Sequence, residues 1–339
     1  MEKILLCFDN SISSFIASNS VLYLAKSFGS KVIGIHAYNA FMHEGAFRIM
    51  EPTLPEKYQQ EDILQKQRHV HKKLINVGME KISLSYMRPV EESFQAADIS
   101  FTKKVREGKN FRVITDILHE ENEGLVVMGA SGFNGNGNGK GYVGSVCLRV
   151  LRNIDRDFLI VKRHINFDKP KFVIGLDGST SAIQALAMAR MVAEKYSAEL
   201  HLVYVFDSNL HKGIFNGLKD SLINKEGFSF NSKEQEAIHD QFIDKGLMRV
   251  GKLIVDRAEK DVLSDCRGIN VHKKVLEGEL YQKICDYARE INGDMVFVGR
   301  TGRHFIEGID IGSVTENVVR FSHCNVFVTR QQEHKGWQL

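Results

Sequence analysis

Gly299, Gly302 and Gly312 share one stretch of the sequence, with Ser313 directly after the last of them and the segment SVTENVV opening there. The spacing reads G-x2-G-x9-G-S. Glycine loses more backbone entropy on folding than any other residue, so three in one loop need a physical reason. One reason is anion binding. Glycines let backbone N–H groups approach a phosphate closely, and a helix N-terminus adds unpaired donors and the positive end of a dipole. Arg300, Arg303 and His304 place cationic or donor side chains in the same loop. A local reading competes. Ser313 and Glu316 have the S-x-x-E spacing of a capping box, so Ser313 could simply cap its helix. The two roles can coexist, because a hydroxyl at a helix start can also serve a phosphate.

The elements that must position this loop occur twice. KILLCFDNS (3–11) resembles KFVIGLDGS (171–179), and KKVREG (103–108) resembles KKVLEG (273–278). GLVVMGASG (124–132) resembles GDMVFVGRTG (293–302), and DFLIVKR (157–163) resembles NVFVTR (325–330). The pairs keep their order about 167 to 170 residues apart, so the chain is a tandem of two related units. Their expected spans are 1–165 and 170–332, with the seam near HINFDKP (164–170). In the second unit, short apolar runs at 171–176, 200–206, 270–276, 294–299 and 325–330 alternate with helical patterns at 180–196, about 232–265, 279–291 and from Ser313. Ile183, Leu186, Ala189 and Ala193 supply the helical spacing of the first of these. Strands that alternate with helices predict parallel pairing, because parallel neighbours need a crossover. Apolar runs without alternation fit strands covered on both faces. Each unit is therefore expected to be a doubly wound, Rossmann-like α/β domain with a five-stranded parallel sheet. Segments 40–60 and 207–231 carry the least pattern and are expected as loops. In such a sheet, ligands sit beyond the carboxyl ends of the strands, where the glycine loop begins at Val298-Gly299.

The G-x2-G-x9-G-S loop between a strand and a helix resembles the nucleotide-binding signature of the universal stress protein family. An early strand that ends in Asp177 (GLDGS) or Asp9 (CFDNS) adds to the resemblance, which covers nearly the whole chain as two copies. The resemblance implies a strand order of 3-2-1-4-5. It implies an adenine nucleotide, ATP or else ADP or AMP, across the ends of strands one and four, with Mg or Mn held through the phosphates. By position, Gly175, Leu176 and Asp177 would border the nucleoside, and the backbone of Val205 would contact adenine. Gly299, Gly302, Arg303, Gly312, Ser313 and Val314 would wrap the phosphates. It also implies a stress-response or regulatory role read by an unknown protein partner. Pairing of the final strands within one chain as a pseudo-dimer is expected, and a homodimer stays open.

The first unit departs from the pattern. Gly129 and Gly132 keep the spacing, and Asp9 keeps the strand-end carboxylate. Gly144-Ser145 arrives after eleven residues instead of nine, and Leu148 stands where a capping box needs an acid. Two readings remain: a phosphate site with Lys140 as an added cation, or a degraded site in a unit kept for packing. GNGKG fails the Walker pattern. Gly139-x-Gly141-x-x-Gly144 does not follow the first strand of its unit, where a dinucleotide site needs it.

Bulk properties narrow the field. The 339 residues are 43% hydrophobic and 26% charged, an ordinary globular mix. A net charge of +3 is too weak to argue for nucleic acid or a membrane surface. Five scattered cysteines without a CxxC pair suggest reduced thiols. No apolar run reaches the roughly 20 residues of a membrane span, and no signal pattern follows Met1, so a cytoplasmic protein is expected. No metal site is expected either. His69 and His71 are two apart in a helical stretch and point to different faces. Catalysis is open: no general base stands out, although slow ATP hydrolysis or autophosphorylation at Ser313 is conceivable, with His304 and Asp310 in the loop. An adenylating enzyme would carry an SGGxDS-type loop, which GLDGSTS (175–181) lacks. A ligand-free interaction module is the other alternative.

Overall fold

A computed structural model describes residues 1–132, 143–208, 213, 232–266, 268–303 and 311–331. The chain divides into two compact units, Met1–His164 and Ile165–Leu339. The first contains β1 (Lys3–Cys7), α1 (Ile12–Phe28), β2 (Lys31–Tyr38), α2 (Ala40–Met50), α3 (Glu61–Ala96), β3 (Phe101–Glu107), α4 (Asn110–Glu120), β4 (Leu125–Gly129), α5 (Ser145–Asn153) and β5 (Phe158–Val161). The second contains β6 (Lys171–Leu176), α6 (Thr180–Tyr196), β7 (Glu199–Phe206), α7 (Ser232–Leu263), β8 (Val271–Glu277), α8 (Leu280–Glu290), β9 (Met295–Gly299), α9 (Ser313–Phe321) and β10 (Asn325–Thr329).

Within the first unit the strands lie in the order β3-β2-β1-β4-β5, all parallel. Within the second the order is β8-β7-β6-β9-β10, again parallel. This is the doubly wound architecture that the alternation of strands and helices predicts. Central strands are buried on both faces, which explains their unbroken apolar runs: every residue of β9 is buried. Phe172, Phe297 and Phe327 fill the middle of the second unit, with successive ring centroids 5.1 Å apart. All five cysteines are free thiols, and four of them are buried. Among the described residues no helix is long and apolar enough to cross a membrane.

Segment 40–60 differs from expectation. Residues 40–50 form α2, followed by two short 3-10 turns at Glu51–Thr53 and Glu56–Tyr58. Phe41, Ile49 and Met50 on α2 are largely exposed, so its apolar residues do not trace the one-sided stripe that betrays a helix in sequence. Residues 209–212 and 214–231, most of the second unpatterned segment, lie outside the described residues.

The winding direction of the second unit reverses between β6 and β9. These two strands pair from Phe172↔Met295 to Ile174↔Phe297 and then part. Gly175 and Leu176 on one side, with Val298 and Gly299 on the other, continue beyond the shared ladder. In the first unit the equivalent ladder runs one pair further, to Cys7↔Met128. Reversal opens a crevice at the carboxyl ends of the strands, the usual ligand position in open α/β sheets.

Two stability tests follow from the packing. Phe297 is fully buried between two aromatic neighbours. Phe297→Ala should destabilise the second unit by about 3–5 kcal/mol in urea unfolding. His36 is buried in β2, and its Nδ1 lies 2.7 Å from the Phe8 carbonyl. Burial holds its pKa below the ordinary 6.5, against a smaller upward pull from that carbonyl and from Asp9. The unfolded chain therefore takes up a proton at this imidazole before the folded chain does. Stability contributed by the neutral ring is present above the unfolded value and is lost as pH falls towards the folded one. The melting temperature should drop as pH falls below the ordinary imidazole value of about 6.5, and the drop should be shallower in His36→Gln.

Candidate functional site

Asp177 stands at the exit of β6 and begins a tight turn. Its Oδ1 accepts a hydrogen bond from the Ser179 N–H at 2.9 Å. Gly178 takes φ +81, in the left-handed region, and Ser179 then caps α6 by accepting from the Ala182 N–H at 3.1 Å. The other carboxylate oxygen, Oδ2, accepts from the Arg303 N–H at 2.9 Å. One side chain thus ties the loop after β6 to the glycine loop after β9. A carboxylate has about four lone-pair sites, so Asp177 retains acceptors for a further donor such as a hydroxyl.

Two of the three signature glycines answer to this packing. A Cβ on Gly302 would lie 2.8 Å from Asp177 Oδ2. A Cβ on Gly299 would sit 2.5 Å from Ser181 Oγ and 2.6 Å from its backbone carbon, in the first turn of α6. Their small size brings the loop onto its own unit. Gly312 has more room, with Arg300 O the nearest atom at 3.4 Å. Its N–H donates to that carbonyl at 2.9 Å, which closes the base of the loop.

Gly312, not Ser313, is the N-cap of α9, and among the described residues no side chain caps this end. The expected capping box does not form. Glu316 instead accepts from Arg320 one turn on, at 2.6 Å, and its N–H donates to the Gly312 carbonyl. An i,i+4 partner competes for the same carboxylate, and the S-x-x-E spacing alone cannot tell the two apart. Ser313 is exposed at the first helical position, followed by half-buried Val314. Thr315, which sequence reasoning passed over, anchors the helix by donating to the Gly299 carbonyl at 2.6 Å. The first helical N–H groups, on Ser313, Val314 and Thr315, have no intrahelical acceptor by helix geometry.

The remaining expected residues fall around the same rim. Gly175 and Leu176 end β6, and Val205 lies one residue past Tyr204, where the pairing of β7 with β6 stops. Leu176 and Val205 are buried, so only their backbones can face a ligand. Arg303 is exposed, while Arg300, expected beside it as a cation, is buried. Tyr204 was not singled out by sequence. Burial raises its pKa, with smaller opposing contributions from Arg303 and Asp177, so all three share one neighbourhood. Ser181 Oγ is buried there without a hydrogen-bond partner.

The first unit repeats the anchoring. Asp9 Oδ1 accepts from the Ser11 N–H at 3.1 Å, Asn10 takes φ +64, and Ser11 caps α1. A Cβ on Gly132 would lie 3.0 Å from Asp9 Oδ2, and one on Gly129 would meet Ser13 at 2.7 Å. Gly144 caps α5 through its backbone, donates to the Ala130 carbonyl at 2.6 Å, and leaves Ser145 at the first helical position. Lys140 of this loop, and His304 and Asp310 of the other, lie outside the described residues.

Comparison with known proteins shows the family to which this fold belongs. The model of the universal stress protein family matches residues 1–162 and again 170–330. A universal stress protein of Methanocaldococcus jannaschii is 29% identical over 165 residues, 48% of this chain and 82% of that protein. A putative universal stress protein of Staphylococcus aureus is 27% identical over 161 residues, 48% of this chain and 84% of its own length. The crystal structure of a universal stress protein from Archaeoglobus fulgidus shares the fold over 97% of this chain and 98% of its own, with a TM-score of 0.60 at 20% identity. With the family matched in both halves, on the same strand order and the same loop anchoring, the chain belongs to the universal stress protein family as a tandem of two members.

Proposed function

We propose that the second unit binds an adenine nucleotide, ATP foremost, and that occupancy alters a surface read by a protein partner in a stress response. One observation carries the reading. The uncapped N-terminus of α9 starts beside Gly302, which lies against Asp177, at the point where β6 and β9 part. The helices that leave β1 and β6 are sealed by serine caps, whereas α9 keeps its first N–H groups for an anion.

The residues fit the group. The N–H groups of Ser313 and Val314, with Gly302, Gly312 and Arg303 around them, would hold the phosphates. Asp177 would accept from ribose hydroxyls with its spare lone pairs. Gly175, Leu176 and Val205 would border the nucleoside through their backbones. A divalent ion such as Mg or Mn would be held by the phosphates. Asp9, Gly129, Gly132, Gly144 and Ser145 form the matching half-site of the first unit. Binding is favoured over turnover, because both oxygens of Asp177 already accept backbone N–H groups.

Denaturing the freshly purified protein and quantifying released nucleotide tests the reading. One adenine nucleotide per chain, absent from Gly312→Arg, is the expected result; two would bring in the first unit. Added ATP at a hundredfold excess over its Kd should stabilise the fold by about 2.7 kcal/mol. Asp177→Ala should weaken ATP binding by about 10- to 100-fold, the range for a charge-assisted hydrogen bond. No released nucleotide and no shift in melting temperature with ATP would instead favour a ligand-free interaction module.

A further inference from the structure

The second unit carries another cluster of side chains at the amino ends of its strands, the opposite end of the sheet from the nucleotide crevice. Glu199 and His201 are two residues apart on β7 and share a face. His272 of β8 is the register partner of His201. Nε2 of His201 and Nε2 of His272 lie 3.7 and 3.9 Å from the same Glu199 oxygen. One potential ligand atom from each of the three lies within 4.8 Å of the others.

His201 is 6% exposed, and its Nδ1 lies 2.9 Å from the Tyr287 hydroxyl on α8. Its Nε2 is buried with no hydrogen-bond partner, because 3.7 Å to Glu199 is too long. Buried ring nitrogens are normally satisfied, so an orphan aimed at a carboxylate and a second imidazole points to something that sits between them. With Nδ1–H donating to Tyr287, Nε2 keeps its lone pair for a ligand, the arrangement typical of a metal-bound histidine.

The first unit serves as a control. Strand register and helix position place Lys31, Ile33, Thr102 and Ile117 where the second unit has Glu199, His201, His272 and Tyr287. The fold does not need the cluster, yet all four positions differ together.

We propose that Glu199, His201 and His272 bind one divalent transition-metal ion of the zinc type, with a fourth position open to water. Two imidazole nitrogens and one carboxylate oxygen suit zinc, whereas magnesium and calcium prefer all-oxygen sites. Tetrahedral zinc holds such atoms about 3.3 Å apart, so the Glu199–histidine separations of 3.7 and 3.9 Å have to shorten by about half an ångström and the two imidazoles have to turn towards one ion. The two rings are stacked, with centroids 4.5 Å apart and planes 16° from parallel. His272, whose side chain is half exposed, swings out of the stack to bring its Nε2 to the ion. Lys171 lies within electrostatic reach of His201 and moderates the affinity.

The test titrates chelator-stripped, full-length protein with zinc chloride by calorimetry and with cobalt(II) by visible absorption. Wild type should show one tight zinc equivalent and the intense spectrum of four-coordinate cobalt. His272→Gln and Glu199→Gln change partly exposed side chains and should match wild type in metal-free melting temperature. Each should weaken that equivalent at least tenfold and abolish the cobalt spectrum. Absence of tight zinc in wild type, or an isotherm and spectrum unchanged in His272→Gln, would overturn the assignment. Zinc bound at unrelated histidines survives both substitutions and is thereby told apart. The outcome is independent of nucleotide, because the variants lie at the far end of the sheet.

Discussion

In each unit five strands run the same way, so no strand can reach its neighbour through a tight turn. Every connection has to cross back over the sheet, and the helices that make the crossings cover both faces. From that one constraint come the unbroken apolar strands, the buried phenylalanine stack and the gathering of all carboxyl ends on one rim. Winding that starts from β6 and moves outward in both directions leaves a gap between β6 and β9. Loops leaving that rim inherit a crevice that no side chain had to carve.

Asp177 turns this rim into a defined site. Its two oxygens bridge backbone N–H groups from loops far apart in sequence. Gly302 and Gly299 are glycines because the loop lies against that carboxylate and against the first turn of α6. Loop glycines are commonly read as making room for a ligand. Here two of them make room for the protein itself. In the first unit Asp9 makes the same local turn, and Gly129 and Gly132 repeat the close approaches with nearly the same separations.

Much of this was legible in the sequence because it depends on periodicity and repetition. Apolar runs marked the strands, and Asp177 and the glycines marked the rim. What stayed hidden depends on choices that spacing does not record. Glu316 could satisfy either Ser313 or Arg320, and only the helix end shows that Arg320 prevails. The helix at 40–50 has exposed apolar residues and so no one-sided stripe. Glu199, His201 and His272 meet only once β7 and β8 are set in register, and nothing local links residues on two strands. Sequence inspection went to His69 and His71, which are close along the chain. Thr315 was hidden for the same reason, since its acceptor is a backbone carbonyl sixteen positions earlier.

The two glycine loops share close approaches at their first glycines but differ in length, with nine residues between Gly302 and Gly312 in one and eleven between Gly132 and Gly144 in the other. By chain length alone, that difference raises the cost of loop closure by only about 0.2 kcal/mol. So small a cost lets the span between the shared close approaches differ in length and composition between the two units. Duplication then leaves one chain with two versions of the same cradle whose rims can diverge separately. If both cradles take ligands as proposed, preference in one half can drift without endangering the other, and a single polypeptide can come to answer to two different small molecules.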